Sequence, residues 1–499
     1  MNTQQKQGVN ASITVSRKKV VNYCLQKKKN GMSFRELSTK YCREGAQLSQ
    51  HNESKQHSQN YIAQVCEQVR WKKAHDVVSE ELLAHIEDQT EAYREEGYTE
   101  DEAEYLAVEQ MGDPVLAGSQ FDKVYKPRME WNVLCLAGTI ILLGTVLRLM
   151  LQVASGMPVD WGSELLKILV GLPFLVLGYC LDYTALLSGK MLAIFSWIVV
   201  ILTAKFSNIL RIDLARGFNI VYYAIPLWIV LFVVTINYMR QKGAIGFLLA
   251  FAEIMLVLLS FVFVYSIPMS GVMVWLGTCF IIMMYALKVN WFGCKKRLGL
   301  TFLLYPIILA GFVIGHPHRI DRIKSMFSPG SDAFGYSFIP GQIYDILQNA
   351  SLIGPGNLDL MYVVEHLYNA KIVHSNYILT ASLSHWGWIS ILLIVGSYIG
   401  LFSFCILASR KVKSKMGKLL MVSITSCWIM QFVSYLLINL TTFQMSAYPL
   451  LFVQSGWMSM INLFLLGILL SVYKTGAVQK DSQPVIKMRK MKMKEQFFS

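Results

Sequence analysis

From Trp131 to the neighbourhood of Tyr473 the chain is a succession of apolar segments, each long enough to cross a bilayer and separated by polar or basic stretches. A helix needs about 20 mostly apolar residues to span a hydrocarbon layer of roughly 30 Å. Ten segments meet that requirement, at 131–153, 164–187, 190–206, 217–238, 243–266, 269–288, 298–315, 376–408, 418–440 and 450–473. Composition agrees: 54% of residues are hydrophobic, 16% are charged and mean hydropathy is +0.42, outside the range of ordinary soluble proteins. The expected fold is all-α, a polytopic membrane protein with about ten transmembrane helices and a small helical domain before them.

Charge divides the chain further. Residues 1–60 carry a net +8, residues 61–130 a net −10 and residues 131–499 a net +16. Residues 1–60, rich in Gln, Asn, Ser and Lys, read as a basic, disordered tail, and the faint helix-turn-helix pattern near Val20–Tyr41 is too weak to imply nucleic-acid binding. The basic start is not followed by an apolar stretch of signal-peptide type. Residues 61–130 form an acidic helical prefix, with Leu82, Leu83, Ile86 and Tyr93 on one helical face. A second helix there starts at Thr99, with Glu102 completing a capping box, and ends near Gly112. The membrane domain spans 131–473, and 474–499 is a basic tail. The nine cysteines are scattered with no paired spacing, so neither a disulfide framework nor a zinc site is expected.

Lys and Arg concentrate in alternate short loops: Lys190, then Arg240 and Lys242, then Lys288 to Arg297, then Arg410 to Lys418. The opposite loops 154–163, 267–268 and 441–449 have none, and only the loop around Lys205, Arg211 and Arg216 and the long loop 316–375 break the trend. By the positive-inside rule both termini are cytoplasmic, and His316 to Ser375, about sixty residues, is an extracytoplasmic loop. A loop of that length with varied composition is expected to be functional. It opens with Arg319, Arg322, Lys324 and Asp332, fixed cations beside a carboxylate, a set suited to a lipid-linked phosphate substrate. Within the spans, Arg148 and Asp182 are expected near interfaces, where they can hydrate, and Glu253 in an internal polar contact.

The stretch PHRIDRIKSMFSPGSDAFGY resembles the signature loop of the shape, elongation, division and sporulation family, the FtsW, RodA and SpoVE proteins, through Arg319, Arg322, Ile323, Phe327, Pro329, Asp332, Gly335 and Tyr336. Further similarity follows in order: Gly354 and Gly356, then His374, then Pro449, Leu450, Phe452, Gly456 and Ser459. The sequence departs from the family pattern at Asn376, at His385 and Trp386, and at Trp457, and a Gln-Pro-Ser-Glu motif is missing near 215–227. The acidic prefix is similar to the small helical domains that precede some bacterial permeases and envelope proteins.

The resemblance implies a peptidoglycan glycosyltransferase of the bacterial plasma membrane, polymerising lipid II during elongation, division or sporulation. Asp332 then stands at the catalytic position, with Arg319, Arg322, Lys324 and His374 toward substrate. Pro329, Gly335, Tyr336, Gly354, Gly356, Pro449, Phe452 and Gly456 supply structure. Implied partners are lipid II, a penicillin-binding-protein-type transpeptidase and membrane lipids, with no nucleic acid. No cofactor is expected, a divalent cation being left open. Two alternatives stand beside this: a flippase-like carrier of lipid-linked sugar, and an inactive cell-division scaffold. For Asp332 the plain alternative is a residue that caps the turn after Ser328-Pro329-Gly330.

Overall fold

The computed structural model describes residues 56–127, 129–154, 161–184, 220–259, 269–293, 311, 317–330, 337–357, 377–443, 448–453 and 457–476. Contacts divide the chain into two compact units, Met1–Lys126 and Pro127–Ser499.

The first unit contains α1 (56–68), a 3-10 turn at Lys72–Ala74, α2 (His75–Glu95), α3 (Glu100–Gln110) and α4 (Pro114–Tyr125). Its core is small: Val65, Val69, Ala74, Val78, Leu82, Ile86, Ala103, Ala107 and Val108 are buried. Leu82 and Ile86 keep their expected inward face, whereas Leu83 is 43% exposed, because one step along a helix turns a side chain by about 100°. The capping box forms, with Glu102 Oε2 accepting from the Thr99 amide at 3.2 Å and its hydroxyl at 2.7 Å. These bonds hold the Glu102 carboxyl below its ordinary range. Asp113 caps α4 by accepting from the Val115 amide at 3.0 Å, and Pro114 occupies the first turn, where its missing N–H costs nothing. Arg70 ties the end of α1 to α4: its side chain donates to Asp122 Oδ2 at 2.7 Å and 3.0 Å, and its amide to Oδ1 at 3.0 Å. That bonding draws the Asp122 carboxyl down in turn.

The regular elements among the second unit's described residues are all helices: α5 (Trp131–Ala154), α6 (Trp161–Cys180), α7 (Ile220–Tyr238), α8 (Gly243–Leu259), α9 (Met269–Lys288), α10 (Pro317–Phe327), α11 (Phe338–Asn349), α12 (Ile378–Trp386), α13 (Trp388–Lys411), α14 (Lys415–Leu440) and α15 (Trp457–Gly476). Among the described residues five helices are long and apolar enough to cross a membrane, and two more, Ala224–Tyr238 and Gly243–Leu259, are apolar but shorter. This is a multi-pass membrane protein. The expected spans 190–206 and 298–315 lie outside the described residues, residue 311 excepted.

Helix α14 is the axis of the unit, packed against α7, α9, α12, α13 and α15. Its buried polar groups bond to one another, as a bilayer interior requires. Trp428 Nε1 donates to Asn462 Oδ1 at 3.1 Å, Asn462 Nδ2 to Gln431 Oε1 at 3.2 Å, and Gln431 Nε2 to Cys427 Sγ at 3.1 Å. Helices α6 and α15 approach most closely of all. A Cβ added at Gly178 would strike the Phe464 carbonyl, and one at Gly467 the Leu175 carbonyl, so glycine is what permits the contact.

Two spans differ from expectation. The segment 376–408 is two helices, α12 and α13, parted at Gly387, whose φ of 75° and ψ of −173° belong to glycine alone. The segment 450–473 does not start as helix, since α15 begins at Trp457 and residues 448–453 are irregular. Arg148 is likewise not at a hydrated interface, being only 4% exposed.

Candidate functional site

The parting at Gly387 is where a loop docks. Trp388 and Ile389 donate their amides to the Ser351 and Leu352 carbonyls at 3.1 and 3.2 Å. In return the Gly354 amide reaches the Trp386 carbonyl at 3.2 Å and the Gly356 amide the Ser384 carbonyl at 3.1 Å. The strand-like pairing needs backbone close to backbone: a Cβ on Gly387 would stand 2.6 Å from the Ser351 oxygen, and one on Gly356 2.5 Å from the Asn349 oxygen. Gly354 has a φ of 85°, which a residue with a side chain rarely adopts.

The loop's two flanks are fastened to the C-terminal end of α14. Tyr435 accepts the Ile378 amide at 3.1 Å, and the Asn439 side chain accepts from the Thr380 amide at 3.3 Å and its hydroxyl at 3.1 Å. Ile438 packs with Ile343 of α11 and with Tyr377. One residue pair past α14, the Thr442 hydroxyl donates to the Met326 carbonyl of α10 at 3.0 Å. The turn after α10 is closed by the Gly330 amide on the Ser337 carbonyl at 3.1 Å.

Residues 448–453 then re-enter the bundle. Phe452 meets Trp428 edge-on at 5.4 Å between ring centroids, and Trp428 lies twelve residues, about 18 Å of helix, back from Leu440. Tyr448, Leu450, Leu451, Phe452 and Val453 are all buried. Irregular backbone at that depth is tolerated only where its polar groups find partners in the protein. They do: the Tyr398 hydroxyl donates to the Leu451 carbonyl at 2.5 Å, and Arg148 Nη1 donates to the Val453 carbonyl at 3.1 Å. Phe452 itself has a φ of 63°, a strained value for an aromatic residue and one that clusters at functional segments.

Arg148 Nη2 also pairs with Glu164 Oε1 at 3.0 Å, both side chains being about 5% exposed. Sequence reading missed Glu164, although a signal was present. Helices α5 and α6 form an antiparallel hairpin, and Arg148 is six residues from the end of one while Glu164 is three from the start of the other, which sets opposite charges at similar depth. The pair is spent on holding the re-entrant segment.

Of the expected site residues, Arg322, Lys324 and Pro329 sit on α10 and its following turn, Gly354 and Gly356 in the docked loop, and Pro449 and Phe452 in the re-entrant segment. Two stretches of the 316–375 loop and a third from beyond α14 thus gather around that helix. The α10 backbone places positions 319 and 322 one turn apart, but the Arg319 side chain, Asp332, Gly335, Tyr336, His374 and Gly456 lie outside the described residues. Lys324 is exposed and pairs with Asp321 at 3.7 Å. Among the described residues no group of three or more His, Cys, Asp or Glu side chains is arranged to hold a metal ion.

A helical, multi-pass membrane protein with a broken span and a re-entrant segment is the class these features define. No protein-family model matches the sequence, and no curated protein matches it. In structure it is similar to a chain of a peptidoglycan synthase complex, solved for the structural coordination of polymerization and crosslinking, with a TM-score of 0.52 at 16% identity over 70% of this chain and 99% of that one. It is also similar to the rod-shape-determining protein RodA of Thermus thermophilus, with a TM-score of 0.46 at 14% identity over 70% of this chain and 97% of that one. The fold implied by the resemblance to the shape, elongation, division and sporulation family is therefore the fold found.

Proposed function

We propose that this protein acts in cell-wall synthesis as a membrane glycosyltransferase that polymerises lipid II. The reading is carried by one observation: the segments with family-like motifs, two from the 316–375 loop and one from beyond α14, assemble around one helix in a fold shared with a peptidoglycan synthase chain. In the reaction the hydroxyl oxygen of one lipid-linked sugar attacks the anomeric carbon of another. The carbon–oxygen bond to undecaprenyl diphosphate breaks, the diphosphate leaves with that electron pair, and the Asp332 carboxylate takes the hydroxyl proton. Arg319 and Arg322, one helical turn apart, offer forked donors to the diphosphate, which Lys would replace only as a point charge. The orientation this requires puts both termini in the cytoplasm and the 316–375 loop outside, where a penicillin-binding-protein-type transpeptidase would meet the product.

The test is purified protein incubated with lipid II, with products resolved by chain length. Asp332→Asn keeps the shape and removes the proton acceptor, so polymerisation falls by about a hundredfold or more. Unchanged turnover in that variant overturns the assignment. A carrier for lipid-linked sugar is the second reading, favoured by the broken span at Gly387 and the re-entrant segment, devices that build midplane binding sites in transporters. Movement of lipid II across liposomes without polymer formation would select it.

A further inference from the structure

The basic residues of the acidic prefix are segregated in its sequence. Fourteen carboxylates lie from Asp76 to Asp113 with Arg94 as the lone Lys or Arg among them, whereas Arg70, Lys72 and Lys73 precede that stretch and Lys123, Lys126 and Arg128 follow it. The fold of the first unit brings the two basic flanks together. Helices α1 and α4 meet where a Cβ on Gly118 would stand 2.5 Å from that of Gln68. Just beyond, Arg70 clasps Asp122 through its side chain and its amide. The Tyr125 hydroxyl donates to Glu81 Oε2 at 2.5 Å, which fastens the last turn of α4 to the early part of α2. The 3-10 turn with Lys72 and Lys73 therefore stands beside the end of α4 that carries Lys123 and Lys126, and all four side chains are exposed. From that pole α2 runs on for 21 residues, about 31 Å, carrying carboxylates away from it.

The covalent chain keeps this pole close to a bilayer. From Lys126 to Trp131, where α5 begins, the backbone can stretch over about 17 Å at most. Trp131 is 63% exposed, as an aromatic residue at headgroup level is, and Glu130 before it accepts from Lys411 at 2.7 Å, at the basic end of α13. The pole also has the amphipathic groups an interfacial surface uses: Trp71 is half-buried between Arg70 and Lys72, and Val124 is 63% exposed beside Lys123. Arg70 is answered by Asp122, so the pole's outward attraction rests on Lys72, Lys123 and Lys126.

We infer that this pole docks the first unit on anionic lipid headgroups, of the phosphatidylglycerol kind, in the leaflet where α5 begins. Charge selects the headgroup. Each lysine brought to an anionic surface strengthens the attraction about fivefold, and a zwitterionic surface supplies no such field. The same field repels carboxylates, so the acidic stretches of α2 and α3 are turned away from the membrane. A soluble acidic partner would match the lysines in sign, but the bilayer is held beside them by a short tether, which gives it the higher effective concentration. The docking does not rest on the reaction proposed above and stands or falls without it.

The experiment is amine footprinting of the full chain with acetic anhydride, a neutral reagent, in nanodiscs of phosphatidylcholine alone or mixed equally with phosphatidylglycerol. Lys72 is the reporter, because no short stretch of chain ties it to the membrane. Its acetylation should be roughly threefold or more slower in the mixed discs. The difference should vanish in about 1 M salt, where screening confines a charge to about 3 Å. Lys123→Glu with Lys126→Glu should return the Lys72 rate to its phosphatidylcholine value with helicity unchanged. Lys123→Gln with Lys126→Gln, which removes charge without reversing it, should return it in part and replaces the first variant if that one loses helicity. Equal Lys72 rates in the two kinds of disc overturn the docking. Slowing that survives salt, or survives the loss of Lys123 and Lys126, overturns the anionic headgroup as its cause.

Discussion

Arg148 and Glu164 show what a charge inside a membrane helix must do to be tolerated. Each would be expensive alone, and the pair is affordable because the guanidinium has a carboxylate at 3.0 Å and a carbonyl at 3.1 Å. Removing one partner leaves the other buried, so Arg148→Met should lower stability by about 3 kcal/mol, a typical cost of breaking a buried pair. The double change Arg148→Met with Glu164→Leu should recover much of it, since two apolar groups leave no orphan charge. Thermal unfolding in detergent decides the point, and a single variant as stable as wild type would remove the pair from the structural account. The residue scale is also where the sequence was least legible. Hydropathy registers Arg148 as one costly position and gives no depth or partner, and only the hairpin geometry of α5 and α6 reveals that Glu164 is opposite.

At the scale of elements, the chain's apolar runs were readable in number and place for the described spans, but not in continuity. The run 376–408 is apolar enough for one long helix, and hydropathy has no term for backbone angles. The glycine that divides it was visible as Gly387 between two tryptophans, yet glycines inside helices are common enough in membranes that the signal is weak. The same blindness extended the last span back to 450, because Leu450, Leu451 and Val453 are as apolar in an irregular segment as in a helix. Gly387→Ala offers a direct check. Its φ of 75° with a ψ of −173° costs a side chain on the order of 2 kcal/mol, and the new Cβ would press the Ser351 carbonyl that holds the loop. The expected result is faster proteolytic cutting within 349–357 and a matching loss of thermal stability. Equal protection in the variant would show that the backbone pairing does not hold the loop.

For the whole molecule, the first unit can be tested by acid on its own. In it, Glu102 is held below the usual carboxylate range by Thr99, and Asp122 by Arg70. The folded state binds these protons less tightly than the unfolded chain, so the contribution is complete above about pH 5, fades as pH falls through the ordinary carboxylate range, and is gone below the depressed folded values. A fragment of residues 56–126 should be helical by circular dichroism at neutral pH and melt at lower temperature on acidification below about pH 5. A random-coil spectrum at neutral pH, or a melting temperature that rises with acid, would contradict this. Alternating charge blocks along the sequence foreshadowed the acidic unit, but the Arg70–Asp122 clasp, 52 residues apart, had no local signature.

The glycine-sealed contact between α6 and α15 has a consequence in time. Helix α6 ends at Cys180 and its closest partner begins only at Trp457, so at translation rates of about 5–20 residues per second the ribosome needs on the order of tens of seconds to deliver the second helix after the first. Throughout that interval the backbone face around Gly171 and Gly178 lacks the helix it packs against, and Arg148 has no Val453 carbonyl to bond. The contact is therefore closed late, and a nascent chain stalled before Trp457 presents an open seam for membrane quality control to find.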